Sequence, residues 1–367
     1  MEARRAHQSD QRITPLFAPH QLERLTRAVH LAGPTACAIA VYAESESAET
    51  GAPDHTRAAR EQGFEGVACV DDAARAVVLY CALWRRDPLP AFRSAALGLA
   101  QFVAYMQDDD GRFANFILDW SGARNLTGST STPGGPAWQA RAVHALACVI
   151  ATFGGHVWDG CFRRGIRWLD DPLPYLDVRA VGVLGTVQHW LVTGEPRSAE
   201  RAVAWSTEIA RASVDDRLLD GHGVAKIHLW GHLQEYALCE AGVAFKRPDF
   251  IDAARRSAEA VLLPVLDWCL TAEHVLPFDM SCTVSGLAAV GRATGSVRYG
   301  RGAQQALAWF AGRNAAGKPV YDRSRGIVYD GVDEGRVSHN SGAESNIEGG
   351  LALLAKVREF APCDSSS

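Results

Sequence analysis

Asp71-Asp72-Ala73-Ala74-Arg75-Ala76-Val77-Val78-Leu79-Tyr80-Cys81-Ala82-Leu83-Trp84 is the stretch that decides the fold class. Ala74, Val77, Val78, Cys81 and Ala82 recur at the three- and four-residue spacing of one helix face. The two carboxylates at its start suit the positive end of a helix macrodipole. The same periodicity continues along the chain, with almost no alternating strand pattern. It predicts helices beginning near residues 19, 70, 91, 136, 157, 175, 197, 227, 249, 281, 299 and 343. Twelve helices make six antiparallel pairs.

The punctuation agrees with that pairing. Pro88 and Pro90, Gly154-Gly155, Pro172 and Pro174, Gly194-Glu195-Pro196, Arg247-Pro248 and Gly295-Ser296 fall between successive runs as stops or starts. Longer Gly- and Ser-rich stretches at 108–135, 214–226 and 314–342 alternate with these short breaks. Short turns at one end and long loops at the other are the layout of an all-α, (α/α)6 toroid of about six helical hairpins, with a cleft on the long-loop face. No repeated motif marks a solenoid, and no shift in composition marks a second domain. The expectation is one toroid domain over 1–367, with a polar N-terminal tail at 1–14 and a short C-terminal tail at 361–367.

Composition narrows the function. A chain of 367 residues that is 47% hydrophobic and 22% charged has ample core, which excludes disorder. Its net charge of -5 argues against nucleic acid, whose phosphates need a basic stripe. The N-terminal residues lack the apolar core of a signal peptide. The apolar stretch from Ala28 to Ala43 is broken by Gly33-Pro34 and is too short to span a bilayer. These features predict a soluble, cytoplasmic protein with no membrane partner. Nine cysteines, at 37, 69, 81, 148, 161, 239, 269, 282 and 363, are odd in number and never spaced CxxC. They read as buried hydrophobes in a reducing compartment rather than as a disulfide or zinc framework.

Four clusters carry polar chemistry. Asp71, Asp72 and Arg75 open a helix, where a cap and an ion pair are the bland account. They do not make a cyclase metal box, because Arg75 stands where its second acidic half should begin. Asp108-Asp109-Asp110-Gly111-Arg112-Phe113-Ala114-Asn115-Phe116 runs on to Asp119-Trp120, placing aromatic residues in a polar loop. Gln107-Asp108-Asp109-Asp110 also lacks the first acid of a proton-donating DxDD. Lys226 to Glu235 puts His228 and His232 four apart, with Glu235 three further on. The pair lacks the intervening Glu of a metalloprotease helix, so no metal and no cofactor is expected. Finally, Tyr329-Asp330-Gly331 leads into His339-Asn340-Ser341-Gly342-Ala343-Glu344-Ser345-Asn346, where Ser341 or Asn340 with Glu344 would make an ordinary capping box.

Together these clusters resemble one family. Asp71-Asp72-Ala73-Ala74-Arg75 is similar to its Asp-Asp-Asn-Ala-Arg, and Asp110-Gly111-Arg112-Phe113-Ala114-Asn115-Phe116 to its Asp-Gly-Arg-Phe-x-Asn-Phe. Tyr329-Asp330-Gly331 and Asn340-Ser341-Gly342-Ala343-Glu344-Ser345 resemble its Tyr-Asp-Gly and Asn-Gln-Gly-Ala-Glu-Ser. That family is the six-hairpin, glycosidase-like α/α toroid found beside or fused to bacterial glycosyltransferases. The match spans roughly residues 65–360 in the same order, with Ala73 in place of the motif's Asn and Ser341 in place of its Gln. No Rossmann-type glycosyltransferase domain is present in the sequence.

The resemblance implies a carbohydrate substrate and a carbohydrate-active enzyme, with a glycoside hydrolase as the leading expectation. Glycosidic cleavage needs one protonated and one ionised carboxyl group. The catalytic candidates are Asp72 with Glu344, or either of them with Glu235. Trp120, Trp138 and Trp230 are candidates for stacking on sugar rings. Arg75 and Asn340 are candidates for hydroxyl contacts or for keeping one carboxylate ionised, and Asp71, Asn115 and Asp330 complete the expected substrate-binding set. The alternative is a non-catalytic, carbohydrate-binding toroid that serves a separately encoded glycosyltransferase.

Overall fold

Helices with apolar stripes must hide them against one another, and here they do so in a ring. The structure, a computed structural model, describes residues 16–31, 35–42, 63–224 and 226–355. The tails expected at 1–14 and 361–367, and Cys363, lie outside the described residues. The inner wall consists of α2 (Val70–Arg86), α4 (Pro136–Phe153), α6 (Leu176–Thr193), α8 (Gln234–Ala244), α11 (Pro277–Thr294) and α13 (Ala343–Leu354). Each packs on the next, and α13 packs back on α2, so the ring closes.

The outer helices α3 (Pro90–Tyr105), α5 (His156–Gly165), α7 (Pro196–Arg211), α9 (Pro248–Ser257) and α12 (Val297–Phe310) each follow an inner helix after a turn of two or three residues. Helix α9 runs through a π-helical turn at Ala258–Leu262 into α10 (Leu263–Cys269). The sixth hairpin is assembled from the first and last described helices, because α1 (His20–Leu25) packs on α13.

Local chemistry sets these boundaries. Proline occupies the first turn of α3, α4, α7, α9 and α11, where its missing N–H costs nothing. Gly194 and Gly295 end α6 and α11 in the left-handed conformation. Asp87 leaves α2 in an extended conformation ahead of Pro88, as the residue before proline must. The inner helices run parallel, so their N-termini gather at one end. The long segments before α4, α8 and α13 gather there too.

Two predicted helix starts need correction. The helix placed near 227 begins at Gln234, because Gly231 turns the chain at φ 86°. Residues 226–233 are therefore a loop, and His228 and His232 do not share a helix face. The helix placed near 281 begins at Pro277, where the Asp279 carboxylate accepts the Leu276 N–H at 2.9 Å. Ala28 to Ala43 belongs in part to an antiparallel hairpin of β1 (Thr26–Val29) and β2 (Ala36–Ile39). Short pairs also occur in the long loops, among them β3 (Ala68–Cys69) with β4 (Phe116–Ile117).

The eight described cysteines are free thiols, all buried except the half-buried Cys37. No helix of the described residues is long and apolar enough to cross a membrane.

Ring closure depends on a small residue. A Cβ on Gly350 of α13 would come within 2.8 Å of Phe17 and 2.9 Å of Leu79. Overpacking of this kind costs about 1–3 kcal/mol. Gly350→Val is expected to lower the thermal midpoint accordingly, as measured by calorimetry; an unchanged midpoint would contradict this packing.

Candidate active site

Where the six inner N-termini meet, one guanidinium organises the polar groups. Arg75, on the second turn of α2, is buried. Its Nη2 donates to Asp72 Oδ1 at 2.7 Å and to Glu344 Oε2 at 3.1 Å, and its Nη1 donates to Glu348 Oε1 at 2.9 Å. Asp71 Oδ2 lies 3.7 Å from the same Nη2 and is also paired with Arg141 of α4. The structure therefore brings together Asp71, Asp72, Arg75 and Glu344 from the expected set. Since Asp72 and Glu344 share one nitrogen, their nearest oxygens lie no more than about 6 Å apart.

These acids are free for Arg75 because other groups do the capping. Cys69 Sγ accepts the Asp72 N–H at 3.4 Å and caps α2. On α13 the expected capping box does not form: Gly342 is the N-cap residue and has no side chain to offer. Asp330 supplies the cap from outside, accepting the Gly342 N–H at 2.8 Å and the Ser345 hydroxyl at 2.6 Å. The next residue must be glycine, because a Cβ on Gly331, at φ 121°, would meet the Val275 carbonyl at 2.3 Å. Ser341 and Asn346 brace the loop below, both through the Val328 backbone. Glu344 is left with its side chain 49% exposed.

Burial and crowding set the proton affinities. Burial pushes the Asp72 carboxyl up to about 6, with Arg75 opposing and Glu344 and Asp71 adding to the rise. Burial also raises Glu348, although Arg75 opposes it. For Asp71 burial acts upward as well, but the Arg141 and Arg75 charges outweigh it and hold the group below the usual carboxylate range. Burial raises Asp279 and Asp330.

An aromatic wall adjoins the cluster. The Phe278 ring lies under the guanidinium of Arg75 at 4.9 Å and that of Arg141 at 5.7 Å. Trp230 tilts over Phe278 at 6.3 Å and stacks on His228 at 4.6 Å, with 50% of its surface open. Cations over ring faces are attracted by the ring quadrupole, so the wall and the arginines support one another.

The other expected residues stand elsewhere. Glu235 is fully buried, its carboxylate bonded to Ser257 at 2.6 Å and to His232 at 3.2 Å, so it does not face the cleft. Asn115 is buried too. Its Oδ1 accepts the Asp71 N–H at 3.0 Å and its backbone carbonyl accepts that of Val70 at 2.8 Å, so it splints the start of α2. Trp138 is half-buried, with its indole donating to the Phe113 carbonyl at 2.8 Å. Trp120 packs on the core beside the β1–β2 hairpin, its carbonyl accepting the His30 N–H. Asn340 contributes a carbonyl to the Asp330 N–H at 2.8 Å and is half-buried.

Sequence reasoning missed Arg141, Phe278 and Glu348. Glu348 was available, since it lies four residues after Glu344 and so on the same helix face. Arg141 and Phe278 carry no local signal, because their neighbours come from other hairpins. Among the described residues no group of three or more His, Cys, Asp or Glu is arranged to hold a metal ion.

No family model matches the chain, and no curated protein matches it in sequence. Solved structures do match its shape. A sugar epimerase from a ruminal bacterium superposes over 80% of this chain and 89% of its own, with TM-score 0.62 and 11% identity. A D-mannose isomerase covers 88% and 92%, with TM-score 0.64 and 10% identity. A glycosyl hydrolase of family 88 from Bacteroides vulgatus covers 81% and 96%, with TM-score 0.58 and 10% identity. At such identities the likeness is one of architecture: the chain has the six-hairpin α/α toroid fold.

Proposed function

We propose that this toroid is a carbohydrate-active enzyme, and that it hydrolyses glycosidic bonds with Asp72 and Glu344. The observation that carries the reading is a carboxyl group that keeps its proton up to about pH 6, held beside a half-exposed carboxylate on a shared guanidinium nitrogen. Asp72 would donate its proton to the leaving oxygen, and Glu344 would act as the ionised partner. Their spacing of less than about 6 Å lies nearer the retaining geometry than the inverting one, which gives Glu344 the part of nucleophile. The Trp230–Phe278 wall offers a face for a pyranose ring. The structural neighbours described as sugar epimerase, mannose isomerase and glycosyl hydrolase support a sugar substrate.

One observation favours a second reading. Arg75 engages Asp72, Glu344 and Glu348 at once, and carboxylates so occupied suit a toroid that binds sugar without cleaving it, in the service of a separate glycosyltransferase. Turnover separates the two. In an assay for new reducing ends on a panel of oligosaccharides, Asp72→Asn and Glu344→Gln should each lose at least about a hundredfold in kcat, with unchanged far-UV circular dichroism. Full activity in both variants sinks the assignment. Epimerised product without new reducing ends would replace hydrolysis by isomerisation. Co-purification with a glycosyltransferase and no turnover would favour the binding toroid.

The Asp72 proton also predicts a pH dependence. Its carboxyl holds a proton to about 6 in the folded protein but releases it near 3.8 when unperturbed. The folded state binds the extra proton, so this group's contribution to stability is full below about 4 and falls as pH rises to about 6. As general acid, Asp72 should also give kcat/KM a limb that falls above about pH 6. A flat profile between pH 5 and about 8 would remove Asp72 from that role.

A further inference from the structure

The loop ahead of α8 carries Trp230 into the cleft, and a loop has no ladder of its own to fix a side chain. A line of buried charged groups lies beneath it. Asp220 Oδ2 accepts the His228 N–H at 2.7 Å, and its Oδ1 accepts from His232 Nδ1 at 2.6 Å and from Gln234 Nε2 at 3.0 Å. His232 Nε2 pairs with Glu235, hydrogen-bonding Oε1 at 3.2 Å with Oε2 3.1 Å away. Glu235 Oε1 accepts the Ser257 hydroxyl at 2.6 Å, and Ser257 Oγ accepts the Leu218 N–H at 3.1 Å. Asp220, His232 and Glu235 are all buried, His232 and Glu235 completely.

Both ring nitrogens of His232 face carboxylate oxygens, so the ring is a doubly protonated donor. The Glu235 and Asp220 charges outweigh its desolvation and raise it to about 10. The line is thus a cation clamped between two anions. Burying such a group costs several kcal/mol per ion, and an apolar filling would cost less. Its placement suggests what offsets that cost. Through Asp220 it fixes His228, on which Trp230 stacks, and the Asp220 carbonyl also accepts the Leu176 N–H at 2.8 Å at the start of α6.

We propose that Asp220, His232 and Glu235 form a buried strut that positions the His228–Trp230 loop, so that Trp230 presents a fixed stacking face to a pyranose ring beside the Arg75 carboxylates. The three are positioning residues, acting through the loop rather than on substrate. The stacking role rests on the carbohydrate reading above; the placement of Trp230 does not.

The test uses the full chain labelled with 5-fluorotryptophan, in which Trp230→Phe identifies one of ten fluorine resonances. Wild-type protein should show a narrow Trp230 line. Asp220→Asn and Glu235→Gln keep the shape of the strut and remove its charge; each should shift or broaden that line and leave the other nine in place. Ser257→Ala, which removes only the outermost bond and leaves all three charges, should give a smaller effect and covers the case in which the charge variants fail to fold. On the oligosaccharide found by the reducing-end assay, the variants should raise KM about three- to tenfold and leave kcat within about threefold. An unmoved Trp230 line in folded variants overturns the proposal. So does a general disturbance of all ten lines, which would mark the strut as ordinary core. Failure of the carbohydrate reading is distinct: wild-type protein would then show no turnover while the Trp230 line still responds to the strut.

Discussion

The Arg75 guanidinium is the contact on which the rest of this structure depends. It joins the first inner helix to the last, reaching Glu348 across 273 positions of sequence. A buried arginine without partners would be prohibitively costly, so α2 can adopt its place only if α13 brings its carboxylates alongside. The same contact that locks the ring therefore sets the charge state of the site. Asp72, Glu344 and Glu348 compete for one cation, and burial leaves Asp72 holding its proton up to about pH 6.

The parallel sense of the inner helices compounds this effect. Each carries a partial positive charge at its N-terminus, and five of the six place an acid in the first turn: Asp71 and Asp72, Asp177, Glu235, Asp279 and Glu344. The exception is α4, which has no acid there and supplies Arg141 instead. Acids at helix starts are ordinary one at a time. Gathered by a ring they become a shared electrostatic environment, in which each proton affinity depends on residues from several hairpins.

Much of the fold was legible in the sequence because its signals are local. The stripe from Ala74 to Ala82 and the prolines at 90, 136, 196 and 248 mark helices near their true starts. Local rules fail where tertiary context takes over. Residues 226–233 are apolar and histidine-rich enough to suggest a helix, yet Gly231 and the buried pull of Asp220 on His228 hold them as a loop. The site divides in the same way. Asp72, Arg75 and Glu344 are recognisable from their motifs, whereas a cluster made of side chains from α2, α4, α11 and α13 leaves Arg141 and Phe278 without any sequence signal. Glu235 shows the converse error: a carboxylate at a helix start on the correct face of the ring can still point into the core.

The sixth hairpin also governs when the protein comes into being. An open array of helical repeats can grow by stacking each new unit on the last, but a ring sealed by α1 against α13 has no finished intermediate. Phe17 packs against Tyr321 at 5.7 Å and the Gln21 side chain donates to the Ser341 carbonyl at 3.2 Å, so the segment that opens the ring cannot seat until the segment that closes it has been made. Glu344 and Glu348 belong to that closing segment. Until it docks, the nascent chain holds Arg75 without two of its carboxylates, and the cleft exists only once translation of the ring is complete.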